Sequence, residues 1–186
     1  MCGRYTLFTD EEYRDIREII QAVQEKGNEI KTGEIYPTNP APVLVQEDGN
    51  IIPQAVKWGW PKFNGSGVLI NARSETAEEK NLFRKSVYTR RCVVPTTGVY
   101  EWDKEKAKYR FILPHANALY LAGIYNEFQG ERRFLILTTA ANESVSFVHN
   151  RMPVVIFKEM IDRWLGDSEK AVEMLHWQQP ELQIAT

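Results

Sequence analysis

The spacing of apolar residues near the start of the chain predicts an amphipathic helix. The apolar positions that recur at helical intervals are Tyr13, Ile16, Ile20 and Val23. Thr9 and Glu12 have the spacing of a capping box, so we expect them to begin this helix, and we expect Gly27 to end it.

The segments after this helix alternate between turn residues and short apolar runs. The segment IYPTNPAPV is too poor in N–H donors for a central strand. The segment VLVQEDGNIIPQAVKW predicts a hairpin that turns at Asp48–Gly49. A strand is then expected at GVLINA and a helix over AEEKNLFRKSVY.

The second half of the chain is rich in apolar runs of strand length. These runs are RCVVP, GVYEWD, KYRFIL, ALYLAGIY, RFLILTT and PVVIF. No helix of crossover length separates them, which favours antiparallel pairing, and two short helices are expected near EMIDRWL and EKAVEML. The predicted fold is α+β: a single domain over residues 1–186, built on a curved, mostly antiparallel, barrel-like sheet with a few flanking helices.

Composition and charge argue against several classes of function. The 186 residues carry a formal net charge of −2, so a polyanion would have to be held by a local basic cluster. The densest such cluster is RKSVYTRR, residues 84–91. The chain has neither a P-loop nor a dinucleotide-binding glycine motif, and its three histidines lack the spacing of metal ligands. We therefore expect no cofactor and no metal.

The two cysteines, Cys2 and Cys92, bear on the cell compartment. The start of the chain lacks a basic stretch followed by an apolar one, and no apolar run is long enough to span a bilayer. We expect a cytoplasmic protein that makes no membrane contact and has no disulfide between its cysteines. Cys92 lies in a β-branched run and is predicted to be buried.

Five segments are unusual for a purely structural scaffold. They are MCGRY, WGW, INARSET, GVYEW and FVHNRMP. Each also has a structural interpretation when it is taken singly. Glu101 could be the outward residue of an alternating strand, His149 a hydrogen-bonded structural histidine, and Trp58 a core residue. The pattern of each segment alone leaves both interpretations open.

Taken together and in this order, the segments resemble the SRAP family (SOS response-associated peptidase). The similarity runs nearly end to end, through MCGRY, NARSET, RRCVVPTTGVYEW, LAGIY, ILTTAAN and HNRMPVVI. It implies a protein of the DNA-damage response that captures abasic sites in single-stranded DNA as a covalent adduct. The implied partner is single-stranded DNA containing abasic sites, bound by a monomer that associates with the nucleoid when DNA is damaged.

The resemblance also implies roles for individual residues. Cys2 matches the residue that forms a thiazolidine with the ring-opened sugar, and the residues that match its helpers are Asn71, Glu101 and His149. The residues implied to hold phosphates or neighbouring nucleotides are Arg4, Arg73 and Arg151. The remaining implied DNA contacts are Pro37, Trp58, Trp102 and Met152. Trp58 would offer a ring face for base stacking.

Two segments depart from the family pattern. WGWPKF is shortened relative to the family's tryptophan-glycine-leucine stretch, and YPTN replaces an alanine-proline-threonine segment. We therefore expect an altered stacking surface, with Tyr36 and Asn39 unassigned as contacts.

The chemistry of an N-terminal cysteine suits the implied reaction. If Met1 is removed, Cys2 carries an amine and a thiol on adjacent carbons, and an α-amine has a pKa of about 7.7–8.0. The amine would attack the sugar aldehyde to give an imine, and the thiol would then close a five-membered ring with an effective molarity of roughly 10⁵ M or more. Glu101 and His149 are candidates for moving protons, and Asn71 can orient Cys2.

Two other functions stay open on the sequence. A thiol peptidase or N-terminal-nucleophile amidase would use Cys2 with His149 and Glu101, and its chemistry would include removal of its own Met1. A plain single-stranded DNA-binding module would leave the thiol incidental. The three differ in turnover, because a hydrolase cleaves many molecules, a cross-linker stops after one, and a binding module forms no bond.

Overall fold

A computed structural model describes residues 3–185 of the chain. Its strands are β1 Arg4–Leu7, β2 Gly33–Ile35, β3 Pro40–Glu47, β4 Asn50–Trp58, β5 Trp60–Pro61, β6 Val68–Leu69, β7 Asn71–Arg73, β8 Arg91–Thr96, β9 Gly98–Trp102, β10 Lys108–Ile112, β11 Leu119–Phe128, β12 Glu131–Ala140, β13 Arg151–Pro153 and β14 Gln183–Ile184. Its helices are α1 Arg14–Gln24, α2 Ser74–Ala77, α3 Asn81–Thr89, α4 Glu143–Ser146, α5 Ile161–Gly166 and α6 Ser168–Met174, with a 3₁₀ turn at Lys158–Met160. None of the helices within residues 3–185 is long and apolar enough to cross a membrane.

The larger sheet closes on itself. Its strands follow one another in the order β11, β8, β3, β4 and β12, and β12 then pairs back with β11. All neighbours in this ring are antiparallel except β4 and β12, which run parallel at Phe134 and Trp58. Fully buried side chains that share one face of this sheet include Val94, Leu121 and Ile136. The predicted α+β fold with a curved, mostly antiparallel, barrel-like sheet is confirmed.

The second sheet is open and antiparallel, with the order β14, β10, β9, β1 and β2. The chain enters it from the barrel at Thr96–Gly98, where β8 ends and β9 begins. Gly98 has φ +154°, and a Cβ there would lie only 3.0 Å from the carbonyl oxygen of Phe111. The close approach of β10 therefore requires glycine at this corner.

Helix α1 occupies the predicted region, with Ile16, Ile20 and Val23 buried. The predicted capping box is wrong, because the helix begins at Arg14 and has no side-chain cap. A turn in which the Tyr13 amide donates to the Asp10 carbonyl precedes it. That turn places Thr9 and Glu12 before the first helical residue, outside the positions at which a capping box acts.

The proline-rich segment was predicted to avoid the centre of a sheet, and that prediction is wrong. β3 begins at Pro40 and lies between β8 and β4. Its ladder with β8 is confined to Leu44 opposite Val93, whereas its ladder with β4 runs along the whole strand. At Pro40 and Pro42, β3 pairs with β4 but not with β8. The N–H groups that proline lacks therefore cost no hydrogen bond to β8. The hairpin turn at Asp48–Gly49 is confirmed by the pairing of Glu47 with Asn50.

Three predicted elements are divided or shifted. GVLINA forms two strands, β6 and β7, which belong to different sheets. The predicted helix over AEEKNLFRKSVY forms α2 and α3, separated at Glu78–Lys80. Strand β13 ends at Pro153, so PVVIF is not a strand, and only an isolated bridge between Val155 and Leu121 remains. The short helices α5 and α6 lie where they were predicted.

The basic run at 84–91 contains a buried structural residue. Arg91 is 7% exposed. Its guanidinium donates to the carbonyls of Val87 (2.8 Å) and Tyr88 (2.6 Å) in α3, and to those of Trp164 (2.5 Å) and Leu165 (2.9 Å) in α5. Burial lowers the pKa of Arg91. The charge is stabilised because it meets the carboxyl-terminal carbonyls of two helices.

Cys92, the next residue, is fully buried as predicted. Burial raises the pKa of its thiol well above the usual range, which makes it unreactive. A Cβ on Gly123 would lie only 2.8 Å from the Sγ of Cys92, so β8 and β11 are closely packed at this point.

We expect Arg91→Met to lower the free energy of unfolding by about 2–4 kcal/mol, because it leaves several buried carbonyls without donors. Denaturant unfolding followed by tryptophan fluorescence measures this loss. Arg84→Met is the matched control, since Arg84 is exposed on the same helix, and it should change stability by about 0.5 kcal/mol or less. Equal stabilities of the two variants would contradict the structural role of Arg91.

Candidate functional site

The polar residues singled out in the sequence lie on three separate elements. Asn71 begins β7, Glu101 lies in β9, and His149 precedes β13. Asn71 and Glu101 are buried, at 7% and 3% exposed, and His149 is half-buried. Cys2 lies outside the described residues.

Strand β1 leads the chain toward these residues. Arg4 is paired with Tyr100, so the start of β1 runs beside the end of β9 that carries Glu101. The ring of Tyr5 packs against that of Trp58, with centroids 5.2 Å apart. Trp58 Nε1 in turn donates to the carbonyl of Ile70 at 3.1 Å, directly before Asn71. A continuous series of contacts therefore joins the start of β1 to β9 on one side and to β7 on the other.

The imidazole of His149 is oriented by the backbone. Its Nδ1 accepts a hydrogen bond from the amide of Arg151 at 3.0 Å. The neutral ring therefore carries its proton on Nε2, which leaves that nitrogen to donate. His149 lines an open groove of about 560 Å³, whose other wall is formed by Trp102, Asp103 and Lys104. Since Trp102 follows Glu101, the groove joins the end of β9 to His149.

Arg151 connects the His149 segment to β7. Its guanidinium forms a two-pronged ion pair with Glu75, at 2.5 and 2.9 Å, and also donates to the carbonyl of Thr138 at 2.6 Å. The hydrogen bonds from Arg151 lower the pKa of Glu75 to about 2. Glu75 lies in α2, which follows β7 without a break, and Arg73 at the end of β7 is exposed. The ion pair thus holds β13 against the segment that carries Asn71.

Arg4, in the second sheet, lies between two aromatic rings. Its guanidinium is 4.3 Å from the ring centre of Tyr36 and 4.9 Å from that of Trp102. It also forms an ion pair with Glu34 at 3.1 Å. Pro37 follows Tyr36 and is half-buried. Arg4, Tyr36 and Trp102 therefore form one cluster, which Trp102 joins to the His149 groove, and Pro37 is next to this cluster in sequence.

The structure buries two of the side chains that were predicted to contact DNA, Trp58 and Met152. Trp58 is fully buried between Tyr5 and Phe134 and stacks on Phe134 with an interplanar angle of 9°, so it offers no face to a base. Met152 is fully buried as well, with its sulfur accepting from the amide of Asn142. Each follows a half-buried basic residue in sequence, Lys57 or Arg151, but its own side chain is buried in the core.

Sequence reasoning missed several polar partners at this site. Glu75 lies within the INARSET segment but was not given a role, although an acidic residue close to arginines is a signal for an ion pair. Lys108 carries no local signal, because only the pairing of β10 with β9 places it opposite Trp102. Glu34 is likewise brought in by the pairing of β2 with β1.

The contacts above link the elements that carry an amide (Asn71), a carboxylate (Glu101) and an imidazole (His149), and exposed or half-buried arginines lie on or next to those elements. Such a set can orient a nucleophile and move protons near a polyanion. Among residues 3–185 no group of three or more histidines, cysteines and carboxylates has the geometry to hold a metal ion.

Solved structures resemble this fold along its whole length. A protein from Bacteroides thetaiotaomicron superposes with a TM-score of 0.79 at 22% identity, covering all of this chain and 92% of that one. A protein from Bordetella bronchiseptica gives a TM-score of 0.77 at 19% identity, with both chains fully covered. At these identities the likeness concerns the fold.

Curated relatives are more similar in sequence. The abasic site processing protein YoqW of Bacillus subtilis (strain 168) is 34% identical, over 89% of this chain and 80% of its own length. The abasic site processing protein YedK of Escherichia coli (strain K12) is 27% identical, over 89% of this chain and 79% of its own. The abasic site processing protein HMCES of Xenopus tropicalis is 27% identical over 57% of this chain and 41% of its own.

Residues 1–185 match the family described as SOS response associated peptidase. The match extends over almost the whole chain and agrees with the fold and with the relatives. The chain belongs to the SOS response associated peptidase (SRAP) family.

Proposed function

We propose that this protein processes abasic sites in single-stranded DNA by forming a covalent thiazolidine through Cys2, after Met1 has been removed. Family membership and the relatives named as abasic site processing proteins support this function. The observation that carries it is the anchoring of β1. Arg4 is paired beside the strand of Glu101, and Tyr5 reaches through Trp58 to the backbone before Asn71.

The proposed reaction is balanced without a cofactor. The α-amine of Cys2 adds to the aldehyde C1′ of the ring-opened sugar and gives a carbinolamine, which loses water to form an imine. The thiol then adds to the same carbon, its proton passing to the nitrogen, and the ring closes. The net change is aldehyde plus aminothiol to thiazolidine plus one water. Because the second step is intramolecular, it is strongly favoured over attack by a free thiol.

Each helper has a role that its surroundings suit. Glu101, buried in β9, takes a proton from the ammonium group and returns one to the departing hydroxyl. His149 delivers a proton from Nε2 to the sugar ring oxygen, because its Nδ1 is engaged by the Arg151 amide. Asn71 orients the Cys2 nucleophile without adding charge.

The DNA strand is proposed to follow the arginines. Arg73 is exposed and contacts phosphate directly, while Arg151 has its charge fixed near the site by Glu75. Arg4, Pro37 and Trp102 contact nucleotides on the other side of the His149 groove. The protein is proposed to act as a monomer in the cytoplasm, at the nucleoid when DNA is damaged.

A thiol peptidase is the second candidate, favoured by the description of the family as a peptidase. It would use the same three groups, Cys2, Glu101 and His149, with the thiol attacking an amide. Turnover separates the two functions. Many peptide bonds cleaved per protein molecule would support a peptidase, and one DNA adduct per molecule supports the cross-linker.

The processed protein is expected to form a heat-stable adduct with an oligonucleotide that contains an abasic site. Intact mass spectrometry should give the mass of the chain lacking Met1 plus the oligonucleotide, less one water. Cys2→Ser should give only a short-lived imine that borohydride traps, because the sulfur that closes the ring is absent. Cys92→Ala, a change at the buried cysteine, is the control and should form the full adduct. Met1-free protein that yields no adduct would rule the proposal out.

His149→Gln is expected to slow adduct formation by roughly 100-fold, the usual range for loss of a general acid or base. Glutamine can still accept from the Arg151 amide but cannot transfer a proton, so affinity for intact single-stranded DNA should stay unchanged. His176→Gln is the matched control, since His176 is exposed and bonded to Glu78. The measurement is single-turnover kinetics, and equal rates for both variants would remove His149 from the mechanism.

A further inference from the structure

Three donors converge on the carboxylate of Glu34, two of them from other strands and one from Tyr36, just after the end of β2. Lys108 Nζ lies 2.5 Å from Oε1, Arg4 Nη1 lies 3.1 Å from Oε2, and the Tyr36 hydroxyl lies 2.9 Å from Oε2. The side chains of Arg4, Glu34 and Lys108 are 27%, 30% and 35% exposed, so solvent reaches all three. The pKa of Glu34 is lowered, chiefly by the hydrogen bond from Lys108.

Aromatic rings hold the two cations independently of Glu34. Lys108 Nζ lies 3.8 Å from the ring centre of Tyr100, and Arg4 lies between the rings of Tyr36 and Trp102. The strand pairing sets this geometry, because Arg4 is opposite Tyr100 and Lys108 is opposite Trp102. We call this surface the cationic platform, and it consists of Arg4, Tyr36, Tyr100, Trp102 and Lys108.

The charges on the platform do not cancel. Two cations face one carboxylate, which leaves a local excess of one positive charge on a protein whose formal net charge is −2. A carboxylate and a phosphodiester both carry one negative charge and present two acceptor oxygens. The donors that hold Glu34 can therefore hold a backbone phosphate in its place.

The platform adjoins the candidate site. Trp102 contributes one face to Arg4 and also lines the His149 groove. A strand with its abasic nucleotide near His149 would therefore run past the platform, where its phosphates meet Arg4 and Lys108.

We propose that the Glu34 carboxylate occupies the position of a DNA backbone phosphate and is displaced when a single strand binds, an inference that rests on the proposed function. Lys108 and the hydroxyl of Tyr36 thereby become DNA contacts in addition to Arg4. Since the strand must compete with Glu34, the non-covalent encounter is weakened for every strand. Lasting retention then depends on the covalent bond, which only an abasic strand can form.

Fluorescence anisotropy with an undamaged single-stranded oligonucleotide tests the inference. Glu34→Gln should bind roughly two- to fivefold more tightly than the wild type, the range expected for removing one exposed ion-pair competitor. Lys108→Gln should bind more weakly and lower the slope of log affinity against log salt by about 0.7, the value for one lost contact with a single strand. In the Lys108→Gln background the gain from Glu34→Gln should shrink, because Lys108 is one of the donors for which Glu34 and the phosphate compete.

Glu47 and Arg132 provide the matched controls. They form an ion pair of 2.7 Å between β3 and β12, with side chains 38% and 40% exposed. Glu47→Gln and Arg132→Gln make the same changes of charge away from the platform and should leave affinity unchanged.

The outcomes separate this inference from the proposed function. If Glu34→Gln binds the undamaged strand no more tightly than the wild type, the inference is overturned. The ion pair of Glu34 with Arg4 would then serve only to hold Arg4 in position. The wild type is mixed with an abasic oligonucleotide under the same conditions. Absence of an adduct there would defeat the proposed function, whereas an adduct with unchanged Glu34→Gln affinity defeats only the displacement of Glu34.

Discussion

The attachment of strand β1 to both sheets is the constraint on which the candidate site depends. Thr6 accepts hydrogen bonds at its carbonyl from the Thr96 hydroxyl at 2.7 Å and from the Thr97 amide at 2.8 Å. Its own hydroxyl is bonded to that of Thr97 at 2.7 Å. These contacts lie where the chain leaves the barrel for the second sheet, so the first strand is fixed at the junction. The point from which the chain leads back to Cys2 is thereby set relative to Glu101.

The site is assembled by contacts between distant parts of the chain rather than by one rigid element. The ion pair of Arg151 with Glu75 holds the His149 segment against the Asn71 segment. An exposed ion pair contributes only about 0–1 kcal/mol to stability, so the importance of this one is geometric. Under the proposed function, the carboxylate also keeps the guanidinium in place before a strand binds, which would reduce the ordering required on binding.

Much of the architecture could be predicted from the sequence because it follows from local patterns. The spacing of Ile16, Ile20 and Val23 is enough to place α1, and Asp48–Gly49 is enough to place a hairpin turn. The order of strand-length runs gives an antiparallel, barrel-like sheet. The capping box failed because a turn at Asp10–Tyr13 competes with it, and the proline-rich strand was missed because proline is excluded only where both neighbours pair.

The details of the site were harder to predict because they depend on strand pairing and side-chain direction. Trp58 and Met152 were assigned to DNA by resemblance, but alternation along a strand turns their side chains into the core. The places of Lys108 and Glu34 could not be predicted, because they depend on the pairing of β10 with β9 and of β2 with β1. The position of Cys2 lies outside the described residues, so its approach to the three helpers stays a prediction.

The hydrogen bond between the Arg151 amide and His149 Nδ1 restricts how protons can travel. An imidazole with both nitrogens available can gain a proton at one nitrogen and release a proton from the other. Here Nδ1 accepts from the Arg151 amide, so under the proposed function His149 would lose and regain its proton at Nε2 alone. Under the proposed function, water would have to reach Nε2 between successive transfers, and His149 lines the groove beside Trp102, which is open to solvent.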